Sequence, residues 1–221
     1  MHKGKSEKTR AVRNRSQETM TRYMDAAEAL YIRLGYEGTS IRAISNRAKM
    51  NLSTVVYHWG TKENLFRSVF LRRFAEIEAK KVETLRLLFE RDPVTGPDDL
   101  EAVLSAMIDP GFNHIEDQEV AFLTRQLYGR VLTDPSDIVL RITDDVFKEV
   151  TDLWRDLIRM CVPELNDETF FWRYTSAVGA VVFAQSFGFR MAHANRIDEL
   201  QVNWDVAPKE IARFIASGLR A

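Results

Sequence analysis

Apolar residues recur along this chain at the three-and-four spacing of a helix, and no stretch alternates at the period of a strand. Tyr23, Met24, Ala27, Leu30, Tyr31 and Leu34 share one face, so a helix is expected from about Ser16 to Leu34, stopped by Gly35. Ile41 and Ile44 mark a short helix that Thr39 can cap and that runs through about Ala48. Lys49-Met50-Asn51 is a turn. Asn51 can cap a second short helix, Leu52 to about Trp59, with Val55, Val56 and Trp59 inward and Ser53, Thr54, Tyr57 and His58 outward. Gly60 ends it, and Thr61 can cap a long helix that starts at Lys62. Leu65, Phe66, Val69, Phe70, Phe74, Ile77, Val82, Leu85 and Leu88 carry that helix to about Glu90, a length of roughly 40 Å.

Asp92-Pro93-Val94-Thr95-Gly96-Pro97 breaks the pattern. Further helices are expected from Asp98 to about Ile108, ended by Asp109-Pro110-Gly111; from Glu116 to about Leu132; from Ser136 to about Val162; from Asp167 to about Ala194; and from Pro208 to about Leu219. The fold class is therefore all-α, with about nine helices: a three-helix helix-turn-helix domain at the N-terminus and a larger helical domain after it. The expected parts are a basic flexible arm over 1–16, a helix-turn-helix domain over 17–66 and a second domain over 67–221.

The formal net charge of −1 hides a division. Residues 1–62 hold twelve Lys/Arg against five Asp/Glu, and the rest nineteen against twenty-seven. A basic first quarter beside an acidic remainder points to a nucleic-acid module joined to one of different purpose. Lys3, Lys5, Lys8, Arg10, Arg13 and Arg15 make the arm basic; it is either a solvated tail or a segment that lies along DNA. The absence of an eighteen-residue apolar run leaves no membrane span, and no apolar segment follows the basic start as in a secretory signal. A cytoplasmic protein is the expectation, with its one cysteine, Cys161, as an inert core residue.

The short helix from Leu52 has the chemistry of a recognition helix: small polar groups at its start for base edges, then a phenol and an imidazole for phosphates. Lys62 at a helix N-terminus adds a phosphate site. The order of the stretch carries more than any single residue. Arg22-Tyr23-Met24-Asp25-Ala26-Ala27, Leu30-Tyr31, Gly35-Tyr36, Thr39-Ser40-Ile41-Arg42, Ile44, Ala48, Asn51, Thr54 and Tyr57-His58-Trp59-Gly60-Thr61-Lys62-Glu63-Asn64-Leu65 resemble, without a gap over about 18–66, the DNA-binding domain of the TetR family of transcriptional regulators. Two positions depart: Lys49 stands where the family commonly has the turn glycine, and Val56 where many members have a phosphate-contacting tyrosine. The resemblance implies backbone contacts by Thr39, Ser40, Tyr57, His58 and Lys62, and base reading by Asn51, Leu52, Ser53 and Thr54, on a near-palindromic operator.

In the second domain the helix from Asp167 is rich in small residues, Ser176, Ala177, Gly179, Ala180, Ala184 and Ser186, between large apolar ones. That composition suits either a central core helix or a homodimer bundle. The resemblance favours pairing through the last two long helices, with Ala177, Ala180, Ala184, Phe187, Ile211, Phe214 and Ile215 at the interface. Aromatic residues crowd the middle of the chain, mostly as core. A ligand cavity among them would draw on Phe70, Phe74, Phe112, His114, Phe122, Arg125, Gln126, Trp154, Phe171 and Gln185. Glu168-Thr169-Phe170-Phe171-Trp172-Arg173 with Val178-Gly179-Ala180 is similar to family members whose ligands are fatty acyl or other lipophilic compounds.

The expected function is a homodimeric, ligand-released repressor whose partners are operator DNA, a second copy and a small-molecule effector, with no cofactor, metal or membrane. An activator of the same architecture stays open. So do a dimeric small-molecule-binding adaptor and an enzyme, although four histidines and one cysteine show no metal spacing or nucleophile motif.

Overall fold

The computed structural model describes residues 3–90, 97–113, 115–194 and 203–221, which form nine α-helices and no strand. They are α1 (Lys3–Gly38), α2 (Ile41–Ala48), α3 (Leu52–Trp59), α4 (Lys62–Phe89), α5 (Pro97–Asn113), α6 (Gln118–Thr133), α7 (Asp137–Cys161), α8 (Asp167–Ala194) and α9 (Ala207–Arg220), the last preceded by a 3₁₀ turn at Trp204–Val206. Most of the break expected over Asp92–Pro97 lies outside the described residues. Two compact units result: residues up to Arg72 with Ser136–Val139, and Arg73–Pro135 with Leu140–Ala221.

The first helix starts earlier than its apolar face suggests. The segment expected as a flexible arm is helical from Lys3, because no Gly or Pro occurs from Lys5 to Leu34 and Lys, Arg, Glu and Gln propagate a helix readily. Gly35, at φ 70° and ψ −177°, breaks it, and one further helical turn reaches Gly38. Behind the break the first unit closes on aromatic rings. Tyr31 lies 5.3 Å from Phe66 and 5.4 Å from Phe70 between centroids, Tyr36 lies 5.1 Å from Phe66, and Tyr23 meets Trp59 edge-on at 5.9 Å. All six rings are buried, so α1, α3 and α4 share one core.

Hydrogen bonds then fix the short helices to that core. Arg22 Nη2 donates to Ala48 O at 2.9 Å, and the Tyr23 hydroxyl donates to Asn51 O. Trp59 Nε1 donates to Ser68 Oγ at 3.1 Å, and Asn64 Nδ2 donates to Trp59 O at 2.9 Å. Arg72 reaches both Asp25 (2.7 Å) and Glu28 (2.6 Å) on α1. The long helix is thus held to the rest of the first unit at three levels along its first eleven residues.

In the second unit, Asp109-Pro110-Gly111 does not end α5, which continues to Asn113. Proline removes one N–H and kinks a helix rather than stopping it when packing holds the next turn. Phe112 is buried there, and Gln185 Nε2 of α8 donates to Ile108 O at 3.4 Å. A Cβ on Gly111 would come within 2.3 Å of that amide, and one on Gly129 within 2.2 Å of Ser186. These two glycines let α8 approach α5 and α6.

Candidate nucleic-acid interface

The α2–α3 turn is built on one strained residue. Lys49 has φ 55° and ψ 46°, the one left-handed non-glycine among the described residues. Its N–H donates to Asn46 O at 3.2 Å, and Met50 N donates to Ser45 O at 3.0 Å, closing the C-terminus of α2. The position where the resemblance leads one to expect glycine therefore does need left-handed backbone.

The hydroxyl that caps α2 belongs to Ser40, whose Oγ accepts from Ala43 N at 3.1 Å. Thr39 is fully buried and donates its hydroxyl to Gly35 O at 2.8 Å. It is corrected from the expected cap and backbone contact to an internal brace across the Gly35 break, and the cap falls one residue later. Asn51 caps α3, its Oδ1 accepting from Ser53 N at 3.1 Å. Its Nδ2 group takes no part in that cap.

Along α3, Val55 and Trp59 are buried, but Val56 is 60% exposed, contrary to its expected inward side. An eight-residue helix at 100° per residue can bury one narrow stripe, and Val55 and Trp59 already fill it. Leu52 (47%), Ser53 and Tyr57 (84%) are exposed with it, and Thr54 and His58 are half-buried at its edges. Tyr57 and His58 meet edge-on at 4.9 Å. The outer face of α3 therefore offers two hydroxyls, a phenol and an imidazole beside two aliphatic groups. Ser40, Arg42, Arg47 and Lys49 are exposed on α2 and the turn. Arg42 and Arg47 were not singled out from the sequence, although their place on the polar side of α2 was the signal.

Lys62 is more committed than a surface lysine. Its Nζ donates to Tyr36 O at 2.5 Å and lies 3.9 Å from the Tyr36 ring centroid. The ammonium is thereby fixed at the start of α4, where Thr61 Oγ1 caps Asn64 N at 3.1 Å.

The residues expected to line a ligand cavity do not gather in one place. Phe70 belongs to the core of the first unit, against Tyr31 and Phe66. Phe74 packs in the second, against Tyr128 at 5.5 Å and Phe147 at 5.4 Å. Phe112 and Trp154 are buried, and Gln185 is engaged with Ile108 O. Arg125 and Gln126 are half-buried; burial pushes the Arg125 guanidinium down. Phe122 and Phe171 are exposed, and His114 lies outside the described residues. Aromatic content marks a core, and only packing decides which rings border a space.

One cavity of about 390 Å³ lies between α8 and α9, bordered by none of those ten. Four of the residues expected at a dimer interface, Ala177, Ala180, Phe214 and Ile215, do line it. Ala177 and Ile215 form its buried floor, whereas Phe214 is 73% exposed, with Trp172 and Phe183 also exposed along α8. Ala184, Phe187 and Ile211 are half-buried away from the cavity. Cys161 is half-buried, and burial pushes its thiol up to about 11, which keeps it protonated at neutral pH. No described helix is long and apolar enough to cross a membrane.

Comparison with known proteins matches residues 24–69 to the bacterial regulatory proteins of the tetR family and residues 105–218 to the tetracyclin repressor-like C-terminal domain. The chain is 26% identical over 159 residues to the HTH-type transcriptional repressor KstR of Rhodococcus jostii strain RHA1, covering 64% of this chain and 71% of that one. Similar solved structures include the fatty acid degradation regulator FadR from Bacillus halodurans, at TM-score 0.57 and 16% identity over 90% of this chain and 98% of that one. FadR from Bacillus subtilis in complex with stearoyl-CoA is another, at TM-score 0.56 and 12% identity over 90% and 98%. At those identities the structures show a shared fold.

Proposed function

The chain belongs to the tetR family of transcriptional regulators, and from that premise we propose that it binds a near-palindromic operator as a homodimer and is released by a lipophilic or amphipathic small molecule. The carrying observation is the outer face of α3. Ser53, Tyr57 and the edge of His58 stand outside a helix whose inner side is sealed by Val55 and Trp59, between the exposed cations of α2 and the fixed ammonium of Lys62. Polar groups so exposed among the described residues suit a phosphate backbone and base edges.

Ser40, Tyr57, His58 and Lys62 anchor the backbone in this reading. Leu52, Ser53, Thr54 and the free amide of Asn51 read bases. Pairing through α8 and α9 supports two recognition helices per operator, and the exposed Trp172, Phe183 and Phe214 fit a face that a second copy covers. Helix α4 belongs to both units, so a ligand that prefers one position of its second half changes the spacing of the two α3 helices. It shifts binding only by its differential affinity for the two forms. The acyl-CoA bound by the Bacillus subtilis relative favours an amphipathic effector here.

The test is a gel shift with DNA flanking the protein's own gene, with and without unlabelled competitor. A discrete shifted complex that survives excess unrelated DNA supports the reading; no preference over unrelated DNA overturns it.

A further inference from the structure

The outer face of α3 divides lengthwise. Ser53 and Tyr57, one turn apart, form a hydroxyl ridge; Leu52 and Val56, also one turn apart, form an aliphatic ridge next to it. All four are exposed. Neither aliphatic residue serves the core, whose inward stripe Val55 and Trp59 already fill. Val56 does not favour the helix either, because its branched β-carbon loses rotamer freedom against the preceding turn. The local fold therefore gives no reason for an aliphatic side chain at position 56.

Single exposed aliphatics are ordinary on a protein surface. Two in register on an eight-residue helix form a shaped apolar contact, and this one is set in the basic part of the chain. Arg42, Arg47 and Lys49 are exposed on α2 and the turn, and the Lys62 ammonium is fixed at the start of α4. Cations so placed suit an anionic partner. Aliphatic groups laid against phosphate would remove its water and return no hydrogen bond. Valine also lacks a hydroxyl for the phosphate contact that the resemblance gives a tyrosine at position 56. The base edges in the major groove of a duplex offer these side chains one apolar group, the 5-methyl of thymine.

We propose that Leu52 and Val56 read thymine by packing against its 5-methyl group, which makes Val56 a specificity-determining residue and not a backbone contact. The inference rests on reading α3 as the recognition helix of a DNA-binding regulator. Each half-site then carries at least one T·A pair under the aliphatic ridge. The two residues stand about 6 Å apart along the helix axis, close to two base-pair steps of about 3.4 Å, so the ridge covers one or two neighbouring pairs. The methyl projects from one side of its pair, and the contact therefore separates T·A from A·T as well as from C·G.

The test removes the methyl and nothing else. The stretch of gene-flanking DNA that the full chain protects from nuclease is synthesised twice, once with thymine and once with deoxyuridine, which keeps every hydrogen-bonding group. Burying one methyl group is worth about fourfold in affinity, so wild type on two half-sites should hold the thymine duplex roughly tenfold more tightly or better. Leu52→Ala with Val56→Ala should bind the thymine duplex roughly tenfold more weakly and hold the two duplexes within about twofold of each other. The thermal midpoint of that double variant should be unchanged or higher, since both positions are exposed and alanine propagates a helix better, which separates lost reading from lost folding. Equal binding of the two duplexes by wild type, or an undiminished preference for thymine in the double variant, would overturn the assignment and leave the regulator reading intact. No protected stretch at all would refute the regulator reading, and the assignment with it.

Discussion

Adjacent residues of the same chemistry have separate fates here. Thr39 and Ser40 both carry hydroxyls, yet Thr39 turns inward to Gly35 O and Ser40 caps α2 at the surface. A helical period assigns faces only within a helix, and these two precede one, so the sequence put the cap one residue early, at Thr39. Lys49 is the opposite case, legible because a tight turn needed left-handed backbone there. A left-handed non-glycine costs roughly 1–2 kcal/mol, and glycine returns part of that through the flexibility of the unfolded chain. Lys49→Gly should therefore stabilise by about 0.5–1 kcal/mol and raise the thermal midpoint by about 1–4 °C, read by differential scanning fluorimetry. Tyr174 predicts a pH effect. Burial pushes its phenol from 10 to about 12, so the folded chain keeps a proton that the unfolded chain releases. Stability from this group is complete below pH 10 and falls as pH rises toward about 12. Urea titrations across that range should show a shallower alkaline fall for Tyr174→Phe.

At the scale of elements, periodicity located all nine helices of the described residues, and the cap at Asn51 was readable as a short polar residue before an apolar run. The boundaries that moved did so for tertiary or propensity reasons. Pro110 sits inside α5 because Gln185 and the burial of Phe112 hold the following turn, and α1 extends to Lys3 through residues of high helix propensity. The clamp by Arg72 was invisible, since nothing in the sequence pairs residue 72 with residues 25 and 28. It bridges a partly exposed Asp25 and a buried Glu28. Arg72→Met should cost about 2 kcal/mol, the range of hydrogen bonds to charged groups. Equilibrium urea unfolding would show it as a lower midpoint with the slope retained.

For the whole molecule, the charge division and the fold agree on a basic DNA-facing part and an acidic remainder, and that much was in the sequence. The ligand-cavity residues were not, because composition cannot separate a ring that seals a core from one that borders a space: Phe70 and Phe171 ended in a core and at a surface. The α8–α9 face predicts the oligomeric state. Phe214→Asp puts a charge where the proposed second copy would desolvate it, and sedimentation should show a monomer that folds normally but binds operator at least tenfold more weakly, as two half-sites can no longer be held together.

The central claim is that α3 and the start of α4 hold operator DNA. Fluorescence anisotropy on a labelled operator, titrated from low to physiological salt, tests it in wild type and in Tyr57→Phe with Lys62→Ala. The wild-type binding constant should fall linearly with salt on logarithmic axes, and the double variant should bind at least tenfold more weakly with a slope shallower by about two, the loss of one Lys62 phosphate contact in each of the two half-sites. An unchanged affinity and an unchanged slope in the double variant would contradict the account.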